Sequence, residues 1–362
     1  MPNVIDYGKF ILTFDPEQPQ ANFAEMGLTP AIAAPESLMP DVIPWPEGAA
    51  PVGVPLNPPP AATDDLSKFK GYDAIVVTWT SAEAATLAKL FSPGNPVSTW
   101  YQYCHNADDY IPLVTGHTAP FNDSSPDMKR YYHCMGLYFP CKIGNARVLL
   151  FKSGLHLDYD GPDIPVKKLM AEINRAVKPK VFITTGTGGA IGSDVALGDV
   201  IIATAAKFDC TSQFKNASFR NDVFETSPLP AAVLTAITPA LTGVNTARIP
   251  GARPAPQIWN DAKSMIVTTD FFGFDDSTDH YKLQGLGKVC DMGDAMVAYA
   301  LSAFKSTQFF AIRNASDPQI PNPDKNMEAA KKQSAEIYSK YGALTTAASV
   351  IATWAVINTI IK

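Results

Sequence analysis

Between Gly71 and Lys129 there is no arginine, and nowhere in the 362 residues do Lys and Arg gather into a cluster. With a net charge of −6 and a pI near 5.4, the chain lacks the basic footprint by which proteins hold nucleic acid. Nucleic acid is therefore not an expected partner. Only 18% of residues are charged against 46% hydrophobic, the balance of a soluble globular protein. The five cysteines, Cys104, Cys134, Cys141, Cys210 and Cys290, are odd in number and have no CxxC spacing. That pattern points to neither a disulfide framework nor a zinc site, and free thiols fit a reducing compartment. The five histidines show no HExxH or similar ligand spacing, so neither a metal nor a cofactor is expected. Met1 to Asp6 has no basic n-region and no unbroken apolar run, which does not read as a signal peptide. Cytoplasmic is the expected location. The apolar stretch Ala343 to Ile361 is long enough for a membrane span, but it carries several Ala and Thr and follows an amphipathic segment. It reads as a buried C-terminal helix, with no membrane partner.

Proline is unevenly spread: 13 of the 31 prolines fall before residue 66. Fixed φ angles and missing donors at that density exclude long helices and central strands. Apolar residues such as Phe10, Phe14, Phe23 and Trp45 recur there, so residues 1–70 read as an irregular arm packed on the main body or on a second subunit. The domain proper, 71–362, opens with the buried strand Ala74 to Trp79 and the helix Ser81 to Phe91, whose N-cap is Thr80 or Ser81. Glu83 falls in the first turn of that helix, where the helix dipole favours a carboxylate. Residues from about 92 to 145 read as an insertion rich in aromatics. Beyond it, strands at Arg147 to Phe151, Val181 to Thr185, Gly198 to Ala206, Ser264 to Thr269, Lys288 to Cys290 and Gln308 to Arg313 alternate with helices. The final helical stretch, Lys325 to Ile361, has an expected break at Tyr341-Gly342. Such alternation implies an α/β fold with a mixed, mostly parallel central sheet flanked by helices.

The stretch VFITTGTGGAIGSDVALGDV, Val181 to Val200, joins a β-branched run to Gly186, Gly188 and Gly189. Because a second apolar run follows directly from Gly198-Asp199, no helix opens on these glycines, which argues against a dinucleotide fingerprint. Two readings stay open on the residues alone: a ligand-cradling turn and a tight structural turn.

Three stretches in order resemble the nucleoside phosphorylase and nucleosidase superfamily. They are Thr185-Gly186-Thr187-Gly188-Gly189 with Leu197-Gly198-Asp199-Val200, then Cys290-Asp291-Met292-Gly293-Asp294-Ala295, then Ile312-Arg313-Asn314-Ala315-Ser316-Asp317. The resemblance implies cleavage of the N-glycosidic bond of a purine nucleoside. Asp317, with Ser316 before it, is then similar to the family's general acid, which needs burial to raise its pKa. Glu83, just after the first strand, is similar to the glutamate by which nucleosidases activate water. Thr187 and Gly188 would face the ribose or the water, Phe272 would stack on the base, and Met292 would lie against the ribose. The ribose-binding glutamate of the family falls on Gly293, so either Asp294 has taken over the hydroxyl contact or the sugar is held otherwise. A phosphorylase needs cationic or N–H donors for phosphate, and the places where the family has arginine read Thr78 to Ser81 and Thr184 here. Hydrolysis is the favoured expectation, with phosphate-dependent cleavage and non-catalytic nucleoside binding as alternatives. The resemblance also implies a homo-oligomer. The reading requires Glu83 and Asp317 to face one cavity.

Overall fold

Strand alternation decides how the core is divided. The computed structural model describes residues 12–16, 43–114, 134–157, 164–241, 244, 249, 252–271, 280–318 and 324–361. In β2 (Ala74–Thr78) all five residues are buried. Ala74 and Val76 join one hydrophobic cluster while Ile75 and Val77 join another, because successive side chains of a strand point to opposite faces. The same division recurs in β5 (Ala146–Ser153) and β6 (Val181–Ala190): Val148, Leu150 and Ile183 lie on the first side, Leu149, Phe151 and Phe182 on the second. Both faces are apolar, so both must be covered. On the first side lie α1 (Ser81–Phe91), α3 (Ala231–Leu241) and α5 (Met327–Ile360); α2 (Pro165–Val177) and α4 (Asp294–Leu301) cover the second.

The described residues form a single 13-stranded sheet. Its centre is parallel: β5, β2, β6 and β13 (Gln308–Asp317) run together. β11 (Met265–Thr269) is likewise parallel to β8 (Ala205–Asp209) and β12 (Val289–Asp291). Antiparallel joins attach β4 (Gly136–Ile143) to β5, β7 (Val200–Ile202) to β13 and the end of β6 to β12. This is the mixed α/β sheet, parallel at its centre, that the alternating elements imply.

The structure departs from four expectations. The glycines after Val181 do not turn the chain: β6 continues through Gly186, Gly188 and Gly189, paired with β13 along its length and with β12 at its end. Part of the proline-rich region is built into the domain, since β1 (Pro51–Gly53) pairs with β4, and Trp354 on α5 donates its Nε1–H to Ala49 O at 2.8 Å. The 92–145 region is not wholly an insertion, because all eight residues of β4 pair with β5. Its aromatics pack on one another and on the host, as Tyr101 does on Phe139 of β4 (5.6 Å between ring centres) and Tyr103 on Phe151 of β5 (5.8 Å). Finally, α5 runs unbroken through Gly342 for 34 residues. A glycine costs a helix about 1 kcal/mol relative to alanine, and burial of Tyr338, Leu344, Val350 and Trp354 along the helix outweighs it. Among the described residues α5 is the one helix long and apolar enough to cross a membrane, and 78% of that apolar window is buried inside the protein.

Phe182, fully buried on the second side, tests this arrangement. Phe182→Ala is expected to destabilise the protein by about 3–5 kcal/mol, read as a lowered urea midpoint.

Candidate active site

One cavity gathers the carboxyl ends of the central strands, where open α/β sheets place their ligands. It is lined by Trp79 and Thr80 beyond β2, His156 beyond β5, Thr187 to Gly189 of β6, Asp291 to Gly293 at the end of β12, and Arg313, Ser316 and Asp317 of β13. Glu83 reaches it from α1, Tyr338 from α5 and Leu12 from the N-terminal arm.

Arg313 is the single arginine among the described lining residues and is 3% exposed. Its Nε and Nη2 donate to the two oxygens of Asp294 at 2.8 and 2.5 Å, a bidentate geometry that suits guanidinium and carboxylate. Nη2 also lies 3.0 Å from Asp291 and Nη1 3.6 Å from Glu83. Three carboxylates therefore surround one cation. Burial and the Asp294 carboxylate push Asp291 above the usual range. Gly186 is what lets the cluster close: its φ is +155°, and a Cβ there would collide with the Glu83 carboxylate and fall 2.9 Å from Arg313 Nη1.

Glu83 is both cap and cavity wall. Its N–H donates to Thr80 Oγ1 and its own Oε2 accepts from the Thr80 N–H, the reciprocal capping box of a helix start. Oε2 also accepts from Thr78 Oγ1 at 2.8 Å and the Trp79 N–H at 3.0 Å, while Oε1 accepts from the Thr187 N–H and hydroxyl, both at 2.7 Å. Burial alone would raise this carboxyl, but Arg313 and the donors from Thr187 and Thr80 outweigh it and hold it below its ordinary value. Glu83 is thus ionised at neutral pH.

Asp317 has the opposite surroundings. A bulge between Ala315 and Asp317 breaks the register of β13 on β6, the kind of irregularity that re-aims a side chain. Its carboxyl accepts from Ser316 Oγ at 2.8 Å and Ser334 Oγ at 2.9 Å and makes no ion pair among the described residues. Burial raises it more than the two hydroxyls lower it. His156, buried beside the cluster, is pushed down to about 3, chiefly by burial, and is neutral. The cavity thus has a carboxylate and an acid that holds its proton more tightly than usual.

A sequence profile of the phosphorylase superfamily matches residues 122–345. The chain belongs to the phosphorylase superfamily. Its fold is also similar to two solved structures. One is a 5′-methylthioadenosine/S-adenosylhomocysteine nucleosidase from Neisseria meningitidis (15% identity, covering 80% of this chain and 100% of that one, TM-score 0.48). The other is futalosine hydrolase of Helicobacter pylori strain 26695 (11% identity, 81% and 100%, TM-score 0.49). No curated protein matches the sequence.

In this superfamily member, Glu83, Thr187, Gly188, Met292, Ser316 and Asp317 all line the cavity that the sequence reading requires Glu83 and Asp317 to share. Asp294 does not line it: it is fully buried and turned to Arg313, because the guanidinium takes both of its oxygens. The direct sugar contact expected of Asp294 is therefore corrected to a role in holding Arg313. Phe272 lies outside the described residues. Arg313, Trp79, His156 and Tyr338 line the cavity without being assigned to it by the sequence motifs. Trp79 and His156 carried a usable signal, each standing just past a core strand, and Arg313 opens the Arg-x-x-Ser-Asp motif. Tyr338 carried none, since only the docking of α5 brings it in. Among the described residues no group of three His, Cys, Asp or Glu side chains is placed to hold a metal ion.

Removing Asp294 leaves Arg313 buried with poorer compensation, so Asp294→Ala is expected to lower stability by about 3 kcal/mol in denaturant unfolding. Glu83 has a depressed folded-state pKa, so its contribution is complete above the ordinary value of 4.5 and is lost as pH falls through the lower folded value. The stability advantage of the unmodified protein over Glu83→Gln, measured by urea unfolding against pH, is expected to shrink in that acid window.

Proposed function

We propose that this protein cleaves the N-glycosidic bond of a purine nucleoside with water. Membership of the phosphorylase superfamily supports glycosyl-bond cleavage. The observation that carries the finer reading is the pairing, in one cavity, of a buried acid with no ion pair among the described residues and an ionised carboxylate. Two carboxyl groups whose environments drive their proton affinities apart can serve as acid and base in one reaction.

Asp317 gives its proton to N7 of the base, and the electron pair of the breaking glycosidic bond goes to the departing purine. The sugar is left as an oxocarbenium-like cation. Water held by Glu83 and the Thr187 hydroxyl adds to C1′ and passes its proton to Glu83. A depressed pKa does not disqualify Glu83, since water attacking a cation becomes a strong acid and even a weak carboxylate base accepts its proton. The ionised Glu83 also stabilises the positive sugar electrostatically.

Water is favoured over phosphate by the charge of the cavity. Its one arginine is surrounded by Glu83, Asp291 and Asp294, and His156 is neutral, so an incoming phosphate dianion meets carboxylates with no free cation among the described lining residues. Leu12 and Met292 add apolar wall.

Release of free base from a panel of purine nucleosides, followed by chromatography with and without phosphate, tests the reading. Cleavage in phosphate-free buffer is expected; a strict phosphate requirement overturns hydrolysis, and an uncleaved panel overturns the function. Asp317→Asn is expected to lower kcat/KM by roughly 10²–10⁴ with the fold retained. In the unmodified enzyme, activity should fall as pH rises through the raised pKa of Asp317, since only the protonated form is a donor.

A further inference from the structure

Near the start of α5, Ser334 is fully buried and its Oγ donates to Asp317 Oδ2 at 2.9 Å. A serine or threonine inside a helix ordinarily sends its proton to a carbonyl of its own helix, one turn back. Further along α5, Thr345, Thr346 and Thr353 do so, to Tyr341, Gly342 and Ser349. Ser334 instead crosses to β13. The second hydroxyl on this carboxyl is less committed: Ser316 Oγ lies 2.8 Å from Asp317 Oδ1 and 3.3 Å from Gly188 O, two acceptors for one proton.

Resting on the nucleoside-cleaving reading above, we propose that Ser334 is a positioning residue of the reaction: its hydroxyl holds Asp317 and stabilises the carboxylate that Asp317 becomes once its proton has passed to the base. The O–H bond of Asp317 breaks as the proton bonds to N7, and the electron pair of that bond stays on the carboxyl; Ser334 keeps its own proton throughout. A hydroxyl donates more strongly to an anion than to a neutral acid, so this bond tightens as the charge develops. An interaction that is stronger in the transition state than before it raises kcat. The surroundings leave this task to hydroxyls. The charged and titratable groups of the same cavity are Arg313 on β13, Cys290 and Asp291 of β12, Glu83 of α1, His156 beyond β5 and Tyr338, one turn along from Ser334 on α5; β6 presents only Thr187 to Gly189, which do not titrate. Arg313 is taken by Asp294, Asp291 and Glu83, and among the described residues no cation pairs with Asp317. The Ser334 bond also works against burial. Burial raises the proton affinity of Asp317, and the hydroxyls of Ser316 and Ser334 lower it by less. Without Ser334, Asp317 is a weaker acid that gives up its proton less readily.

The test compares Ser334→Ala with the unmodified enzyme on adenosine and inosine across pH. Loss of the donor raises the folded-state pKa of Asp317, so the alkaline limb of kcat/KM is expected to move up by about one pH unit. Below that limb kcat is expected to fall about tenfold, with KM within about twofold of the unmodified value. Ser334→Cys, of similar volume but a weaker donor, is expected to fall between the two. A carbon NMR titration of isotope-labelled aspartate, with the Asp317 signal assigned by its loss in Asp317→Asn, reads the same upward shift without substrate. A limb and an NMR titration that stay in place or move down at unchanged melting temperature overturn the assignment, as does a raised KM with kcat unchanged. If both nucleosides are left uncleaved by the unmodified enzyme while the NMR titration shifts upward in Ser334→Ala, the catalytic reading is overturned and the hold of Ser334 on Asp317 stands.

Discussion

A guanidinium buried among three carboxylates holds this site together. Arg313 sits on the central strand β13, and its partners come from three other places: Glu83 on α1, Asp291 at the end of β12 and Asp294 in the first turn of α4. Its Nη1 also donates to Thr187 O on β6 at 3.2 Å. One side chain thus ties both helical layers to the sheet centre. A buried ion cluster is weak evidence for net stability, because desolvation offsets much of the attraction. Its consequence is geometric: the cavity walls cannot shift independently without leaving a charge uncompensated.

That cluster also separates the two acids of the cavity. Glu83 lies within reach of the cation and of five donors, and its anion is favoured. Asp317 stands on the same strand as Arg313 but beyond a bulge, with two serine hydroxyls and no cation paired to it among the described residues, so burial dominates and its neutral form is favoured. The sheet therefore supplies, within a few residues of β13, both the positive charge that ionises one carboxyl and the burial that protects the proton of the other. Pre-organisation of this kind needs no rearrangement as charge develops on a ligand.

Structural and chemical roles coincide in several residues. Glu83 completes a capping box and faces the cavity; the two roles are compatible because backbone and hydroxyl donors hold its carboxylate in one orientation. α5 is the main apolar layer on one side of the sheet, yet it brings Ser334 to Asp317 and Tyr338, which shares a 2.7 Å hydrogen bond with Thr80, to the cavity wall. Trp79 closes the space that a longer residue at 293 would need. The cavity is in this sense a by-product of how α1, α5 and the strand ends pack.

What could be read in the chain alone was local. β-branched runs marked the central strands, Thr80 and Glu83 marked the start of α1, the position just after the first strand singled out Glu83, and the Gly-, Asp-Met- and Arg-x-x-Ser-Asp stretches singled out Thr187, Met292 and Asp317, because strand period, capping and short motifs are properties of neighbouring residues. What the chain could not reveal depends on contacts across long separations. The glycines of β6 read as a turn but are strand: Gly186 admits a carboxylate from residue 83 and a guanidinium from residue 313, while Gly188 and Gly189 let β12 and Asp317 approach closely. Asp294 read as a sugar ligand but faces Arg313, and Trp79 read as the end of a strand but stands in the space beside Gly293. Side-chain direction in those cases is decided by which charge or ring arrives from elsewhere in the fold, and only the packed tertiary structure determines that.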